Sequence, residues 1–417
     1  MVTRALFGEN AHIVDDGEFR LLLLANVSPA LGITLMSPII SSLTGPFGVA
    51  ETRLGLLITA FTVPAIIIIP LAGLITGRYG RKPVLVVGLL VYGLAGSAIA
   101  LTTDFRMALA LRFLQGVGFS GLTPVIITSV GDLYAGDDET TAQGLRFTTT
   151  GLTQIVFGFL AGVIVVVAWQ LPFLLYTIAV PTAVAILLWF EEPSDARAHR
   201  GLGSDVRDIL SIAASPRVLC VLLARGVPPF LYVAFLTYNS ILVVRVLDLT
   251  PAHSGVLVIL GSLTSAGLAS QAGRIGAWFA DPWRPLHAAN LLMALGFALV
   301  SVATTFPVVA VGVTVIGAGF GVSLSLYRSL ITGFASDRHR GGIVSVGESI
   351  GRLGATVAPL VMAALVDFGG ARASFSVAVR GAILAVAVGS GLAGGLLIAV
   401  SRRSVPVAGG TAGRAGN

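Results

Sequence analysis

GLITGRYGRK, Gly73 to Lys82, is the stretch from which the fold of this chain can be read. Its three basic residues, Arg78, Arg81 and Lys82, stand between two apolar runs without a charge, 54–76 and 83–102. Each run is about as long as the roughly 20 residues that a helix needs to cross a bilayer. The stretch therefore reads as a tight polar turn between two membrane crossings. Composition agrees with that reading. Hydrophobic residues make up 55% of the chain and charged residues 11%, against about 25% charged in soluble domains. So little charge cannot cover a water-facing surface, and the lipid bilayer must be the solvent.

Working outward with the same ruler predicts six spans in the first half, at 20–44, 54–76, 83–102, 106–131, 143–167 and 170–190. Six more are predicted at 217–244, 252–272, 285–304, 307–332, 342–366 and 375–400. The expected organisation is a six-helix half over 1–190, a polar cytoplasmic loop over 191–216, a second half over 217–401 and a disordered tail over 402–417. The first apolar stretch starts near Arg20 and has no small-residue cleavage site, so it reads as a retained span.

The net charge of +6 arises from basic residues at the ends of apolar runs. They form no stripe with interleaved aromatics, which argues against nucleic acid. With both termini on one side, that side carries seventeen of the 26 basic residues, Arg146 among them, and the other side four. The excess predicts cytoplasmic termini and a plasma-membrane location. Cys220 is the only cysteine, and the five histidines are scattered, so neither a disulfide nor a metal cluster is expected. Gly116, Gly118 and Gly121 spell GxGxxG, but within an apolar 25-mer that spacing reads as close helix packing. No nucleotide and no cofactor are expected, and a monomer is.

The halves repeat each other. GRYG at Gly77–Gly80 recurs as GRIG at Gly273–Gly276, and QGVGF ending at Phe119 recurs as IGAGF ending at Phe320. Pro29 corresponds to Pro228, and WQLPF ending at Phe173 resembles ARASF ending at Phe375. The four offsets fall between 196 and 202 residues and keep their order. A parallel six-plus-six duplication with a solute site between the halves is a known transporter design.

Gly73, Arg78, Gly80, Arg81 and Lys82 match G-x-x-x-D-R-x-G-R-[RK] between the second and third spans. In this the chain resembles the major facilitator superfamily. RFLQGVG, Arg112 to Gly118, resembles that superfamily's fourth-span motif, and AWQLPF resembles the opening of span six in its drug–proton antiporter branch. GFLAG, Gly158 to Gly162, departs from that branch by carrying Phe159 in place of proline. The resemblance implies an all-α integral membrane fold of twelve transmembrane helices in two pseudo-symmetric halves. It further implies that the loop at 73–82 latches the outward-facing state, its arginines engaging Asp132 at the end of span four. Gly77 stands where the family carries Asp, which predicts a weaker latch.

Arg112, Arg225, Arg328, Glu348 and Arg352 lie within predicted spans. Each costs about 3 kcal/mol at a helix centre on insertion scales, so such residues face the protein interior or a water-filled cavity. Arg328 is close enough to its span's end to snorkel, whereas Arg225 and Arg352 lie about 12–15 Å along their helices at 1.5 Å per residue. Asn26, Gln115, Gln154, Tyr238, Asn239 and Gln271 add uncharged polar groups; singly, each reads first as a bond between helices, and as a set they supply what a midplane site needs. Asn26 and Arg225 are equivalent at offset 199, and Gln154 and Arg352 at 198. These pairs would face one cavity from opposite halves.

Glu348 and Arg352 stand at i and i+4 and can meet on one helix face. Such a pair would hold the carboxylate charged, and parting it would let Glu348 take up a proton. It could equally be a permanent bridge. The expected function is secondary active transport of a small organic solute by alternating access, coupled to protons, with export of drugs or amphipathic metabolites as the first choice. The positive lean of the buried charge makes an organic-anion or carboxylate transporter the alternative. A non-transporting membrane sensor or scaffold is a third reading. No nucleophile–base or metal cluster points to an enzyme.

Overall fold

The computed structural model describes residues 11–135, 137–192, 202–279, 281, 283–334 and 337–403. Over these residues the chain is helical without a strand. Among the described residues, eleven helices are long and apolar enough to cross a membrane. The twelfth crossing is the first span, and it is not one helix. Helix Gly17–Leu31 gives way to turns, a short 3-10 segment Ile40–Leu43 and a final helical turn Thr44–Phe47. The unbroken span predicted over 20–44 is thus corrected. Pro29 lacks the N–H that continues a helix, and the break leaves the Gly32 carbonyl free for a side chain. The seventh span is also interrupted, where helix Pro216–Arg225 meets helix Val227–Ile241 at Gly226, two residues before Pro228.

Other boundaries agree with the hydropathy reading to within a few residues, apart from extensions into the polar flanks. The fifth span, Asp137–Ile164, begins six residues before its predicted start, and the eleventh, Asp337–Gly370, five before. The 191–216 stretch is not all loop, because Leu202–Ala214 is helical and its Ile209 packs where Gly342 leaves room. The last span runs on to Arg403, past the expected start of the tail. Residues 404–417 of that tail lie outside the described residues.

The repeated glycines perform the same task in each half. Gly116 lies against the backbone of Phe61 in the second span, and Gly317 against that of Gly261 in the eighth. A methyl on Gly118 would come within 2.6 Å of the Gly88 carbonyl in the third span, and one on Gly319 within 2.7 Å of the Ala289 carbonyl in the ninth. Only glycine admits such close approach of backbones. GxGxxG here is therefore a helix-packing pattern.

Polar caps fix the helix ends. The Asp16 carboxylate accepts from the amides of Glu18 and Phe19, at 2.8 and 3.4 Å, to start the first span. The Tyr134 hydroxyl, at the end of the fourth span, donates to Asp16 at 2.6 Å. Burial first, then Asp16, raises the Tyr134 pKa, so the hydroxyl keeps its proton.

Candidate functional site

Between the halves lies a cavity of about 630 Å³. Its walls run from the middle of the first, fifth, eighth and eleventh spans to the last turns of the tenth, Phe306–Thr332. The exposed Arg328 and Ser329, near the end of the tenth span, mark the end at which the cavity opens. The opposite end is sealed across the pseudo-twofold axis. The hydroxyls of Ser41 and Ser240, offset by 199 residues, meet at 2.6 Å, and the Ser240 hydroxyl also bonds the Pro38 carbonyl at 3.0 Å. Asn239 donates to the Ser37 hydroxyl at 3.2 Å, the Thr59 hydroxyl donates to the Thr356 carbonyl at 3.1 Å, and Glu51 pairs with Arg245.

Of the predicted pathway residues, Asn26, Gln154, Arg225 and Arg352 line this cavity, as does Glu348. Both pairs of equivalent positions therefore meet in one space. Arg225 is the last residue of its helix segment and is 3% exposed. It lies over Gly351, where a methyl would come within 2.7 Å of its Nη1. From there its Nη2 donates to Glu348 Oε1 at 2.7 Å, and Arg328 Nη2 stands 3.7 Å from the same oxygen.

That arrangement corrects the expected Glu348–Arg352 pairing. One turn of helix permits the pair, but the glycine opposite Arg225 admits a cation from the seventh span to the same carboxylate. The Arg352 guanidinium instead lies 5.2 Å from the centre of the Phe119 ring, in the other half.

Five further expectations are corrected. Arg112 and Gln115 are not in the cavity wall. Arg112, with no exposed surface, donates to the carbonyls of Leu57 and Gly32 at 3.1 and 3.2 Å, to Gln115 Oε1 at 2.6 Å and to the Tyr176 hydroxyl at 3.3 Å. It thus ties together the first, second, fourth and sixth spans, with its guanidinium 4.5 Å from the centre of the Phe61 ring. Tyr238 and Asn239 sit on the far half of the seventh span, buried in the sealed end. Gln271 is exposed and bonds its neighbours Ser270 and Arg274.

In the loop at 73–82, Gly80 has φ +84, a backbone conformation suited to glycine. Arg81 pairs with Asp132 at 2.5 Å. Arg78 is exposed beside Tyr79, and the surroundings of Gly73 and Gly77 lie outside the described residues. The amides of Arg81 and Lys82 donate at 2.6 and 2.8 Å to the Glu192 carboxylate, which caps the third span from just beyond the sixth. Sequence reasoning missed Glu192, which carried no signal beyond a negative charge in a polar segment.

Sequence reasoning also missed Arg146 as a wall residue. It is the tenth residue of the fifth helix, 9% exposed, and lines the cavity. The signal was available, since 146 falls within the span predicted at 143–167. Five aromatic rings complete the wall: Phe61, Phe119, Phe147, Tyr232 and Phe320.

A family profile described as Major Facilitator Superfamily matches residues 22–359. A bacillibactin exporter of Bacillus subtilis is 34% identical over 150 residues, which are 34% of this chain and 37% of that protein. Multidrug resistance protein 2 of the same organism is 26% identical over 224 residues, 52% of each chain. The matched stretches thus span about a third to a half of these two relatives. A solved bacterial homologue of the human lysosomal transporter Spinster, inward-facing and unoccupied, superposes with TM-score 0.76 at 14% identity, over 92% of this chain and 96% of that one.

Proposed function

The chain belongs to the major facilitator superfamily, and from that premise we propose that it exports an amphipathic organic anion by proton-coupled alternating access. Family membership makes it a multi-span membrane transporter of twelve helices, not an enzyme. One observation carries the choice of solute: among the described residues, four arginines, Arg146, Arg225, Arg328 and Arg352, line the cavity with a single carboxylate, Glu348. A cavity with that excess of positive charge stabilises an anion and repels a cation. The aromatic rings supply apolar contact for the rest of the solute.

Export is supported by the names of the bacillibactin exporter and the multidrug resistance protein. Cytoplasmic termini, inferred from the arginine bias, would make the open end of this conformation the side from which an exporter loads. In this scheme a solute anion takes Arg225, Glu348 is freed to exchange a proton, and the Arg81–Asp132 pair belongs to the gating loop. A plasma-membrane location fits the same scheme.

Counterflow in proteoliposomes tests the carrier mechanism. Unlabelled aromatic carboxylate inside should accelerate entry of the labelled compound, since each loaded return resets the carrier. Equal entry with and without internal solute would favour a sensor or scaffold.

A further inference from the structure

Resting on that reading, we propose that Arg146 and Arg328, one from each half, form a clamp for the carboxylate or sulfonate of an aromatic solute. Occupation of this clamp is what allows the open end of the cavity to close.

Arg146 is a buried cation held only by neutral groups. Its Nε donates to Gln143 Oε1 at 2.9 Å and its Nη1 to Asn26 Oδ1 at 3.4 Å. Asn26 is itself fixed by donating to the Arg146 carbonyl at 3.1 Å and the Thr150 hydroxyl at 2.8 Å. Gln143 is fixed by donating to the Ile127 carbonyl at 2.9 Å. Two amides thus aim a guanidinium into a wall where, among the described residues, no carboxylate pairs with it. A buried charge without a counter-charge is costly, and here a ligand can supply the missing anion.

Arg328 approaches from the other half. It lies four residues before the end of the tenth helix, with 57% of its side chain exposed to the cavity. Its one acidic neighbour, Glu348, is more tightly held by Arg225, at 2.7 Å against 3.7 Å. A single carboxylate therefore serves two arginines, and Arg328 retains unused donors. A guanidinium fork matches a carboxylate or sulfonate with two parallel bonds.

Beside the clamp, Tyr232 and Phe320 stack at 4.2 Å with 4° between their planes, and both face the cavity. Phe147 follows Arg146 in the chain and lines the same space. A flat apolar body can lie along these rings while its anion reaches the arginines.

The clamp also explains why an anion would be needed for closure. Arg146 and Arg328 line the same cavity from opposite halves. Arg146 stands almost three turns into the fifth helix and Arg328 about one turn from the end of the tenth, so drawing the two halves together over the cavity brings two cations together. Repulsion holds the empty carrier open, and an anion between them reverses the sign of the interaction.

The test uses spin labels at Thr148→Cys, an exposed position in the fifth helix, and at Thr332→Cys, the end of the tenth, in a Cys220→Ser background. The probes are 1-naphthoate and its uncharged counterpart 1-naphthamide. Naphthoate should shorten the interspin distance and naphthamide should not. Arg146→Gln should weaken naphthoate binding at least tenfold and let the empty protein populate the short distance. Arg146→Lys, which keeps the charge, should return the empty protein to the open distribution. Arg328→Gln alters an exposed side chain and should show the same loss, which guards against misfolding of the Arg146 variant. Wild-type affinity in both Gln variants, or equal closure by naphthamide, overturns the clamp. If wild-type protein still exchanges naphthoate in that case, the transport reading stands without it. If wild-type protein neither closes on naphthoate nor exchanges it, both readings fall together.

Discussion

Replacing Ser240 by alanine tests the alternating-access account at its seal. The Ser240 hydroxyl meets that of Ser41 at 2.6 Å and bonds the Pro38 carbonyl at 3.0 Å, with Ser41 and Ser240 both buried. A hydrogen bond contributes about 1 kcal/mol net, and a partner left unsatisfied in the closed seal adds to its loss. Two bonds therefore favour the sealed state by about 2 kcal/mol, or roughly thirtyfold in population. In the opposite conformation these groups face water, so the alanine costs little there. A cysteine at Ile40, buried in the same seal, reports opening once Cys220, the only native cysteine, is replaced by serine. Labelling by an impermeant maleimide from the sealed face should accelerate about thirtyfold in Ser240→Ala, provided that the open state begins as a minor population. A change of less than twofold would show that the serine contact does not hold the seal.

The gating loop predicts that Gly77→Asp strengthens the latch and shifts the resting population outward, read with the same Ile40→Cys reporter; unchanged labelling would separate the latch from that carboxylate. Glu348→Gln should preserve solute exchange yet abolish its acceleration by a pH gradient. Normal gradient-driven transport would exclude Glu348 as the proton carrier. Arg112→Gln should lower detergent stability by about 3 kcal/mol, because a buried charge and its network are removed together, while solute affinity of the folded fraction is kept. A loss of affinity at unchanged melting temperature would return Arg112 to the solute pathway.

The hydrophobic runs made the twelve crossings legible, and the matched offsets made the duplication legible, because insertion into lipid depends on composition alone. Azimuth is different. Arg112 and Arg225 are both buried arginines in predicted spans, yet one ties four helices together and the other faces solute space. Depth along a helix does not say which neighbour a side chain meets. The i, i+4 spacing placed Glu348 beside Arg352, and only the approach of the seventh span over Gly351 gives the carboxylate to Arg225. Arg146 was read as a marker of orientation because it lies near the start of its span, where positive charge is ordinary. That helix begins at Asp137, so Arg146 is already almost three turns in. The break in the first span had a signal in Pro29, but hydropathy averages over such a residue.

The preference of the cavity for charge is the central claim, and the initial rate of uptake into proteoliposomes tests it most directly. Wild-type protein should be offered two aromatic solutes of equal size, one a carboxylate and one a quaternary ammonium, at equal concentration and without a membrane potential. Four arginines against one carboxylate predict that the anion enters at least ten times faster. Equal rates, or faster entry of the cation, would contradict the account.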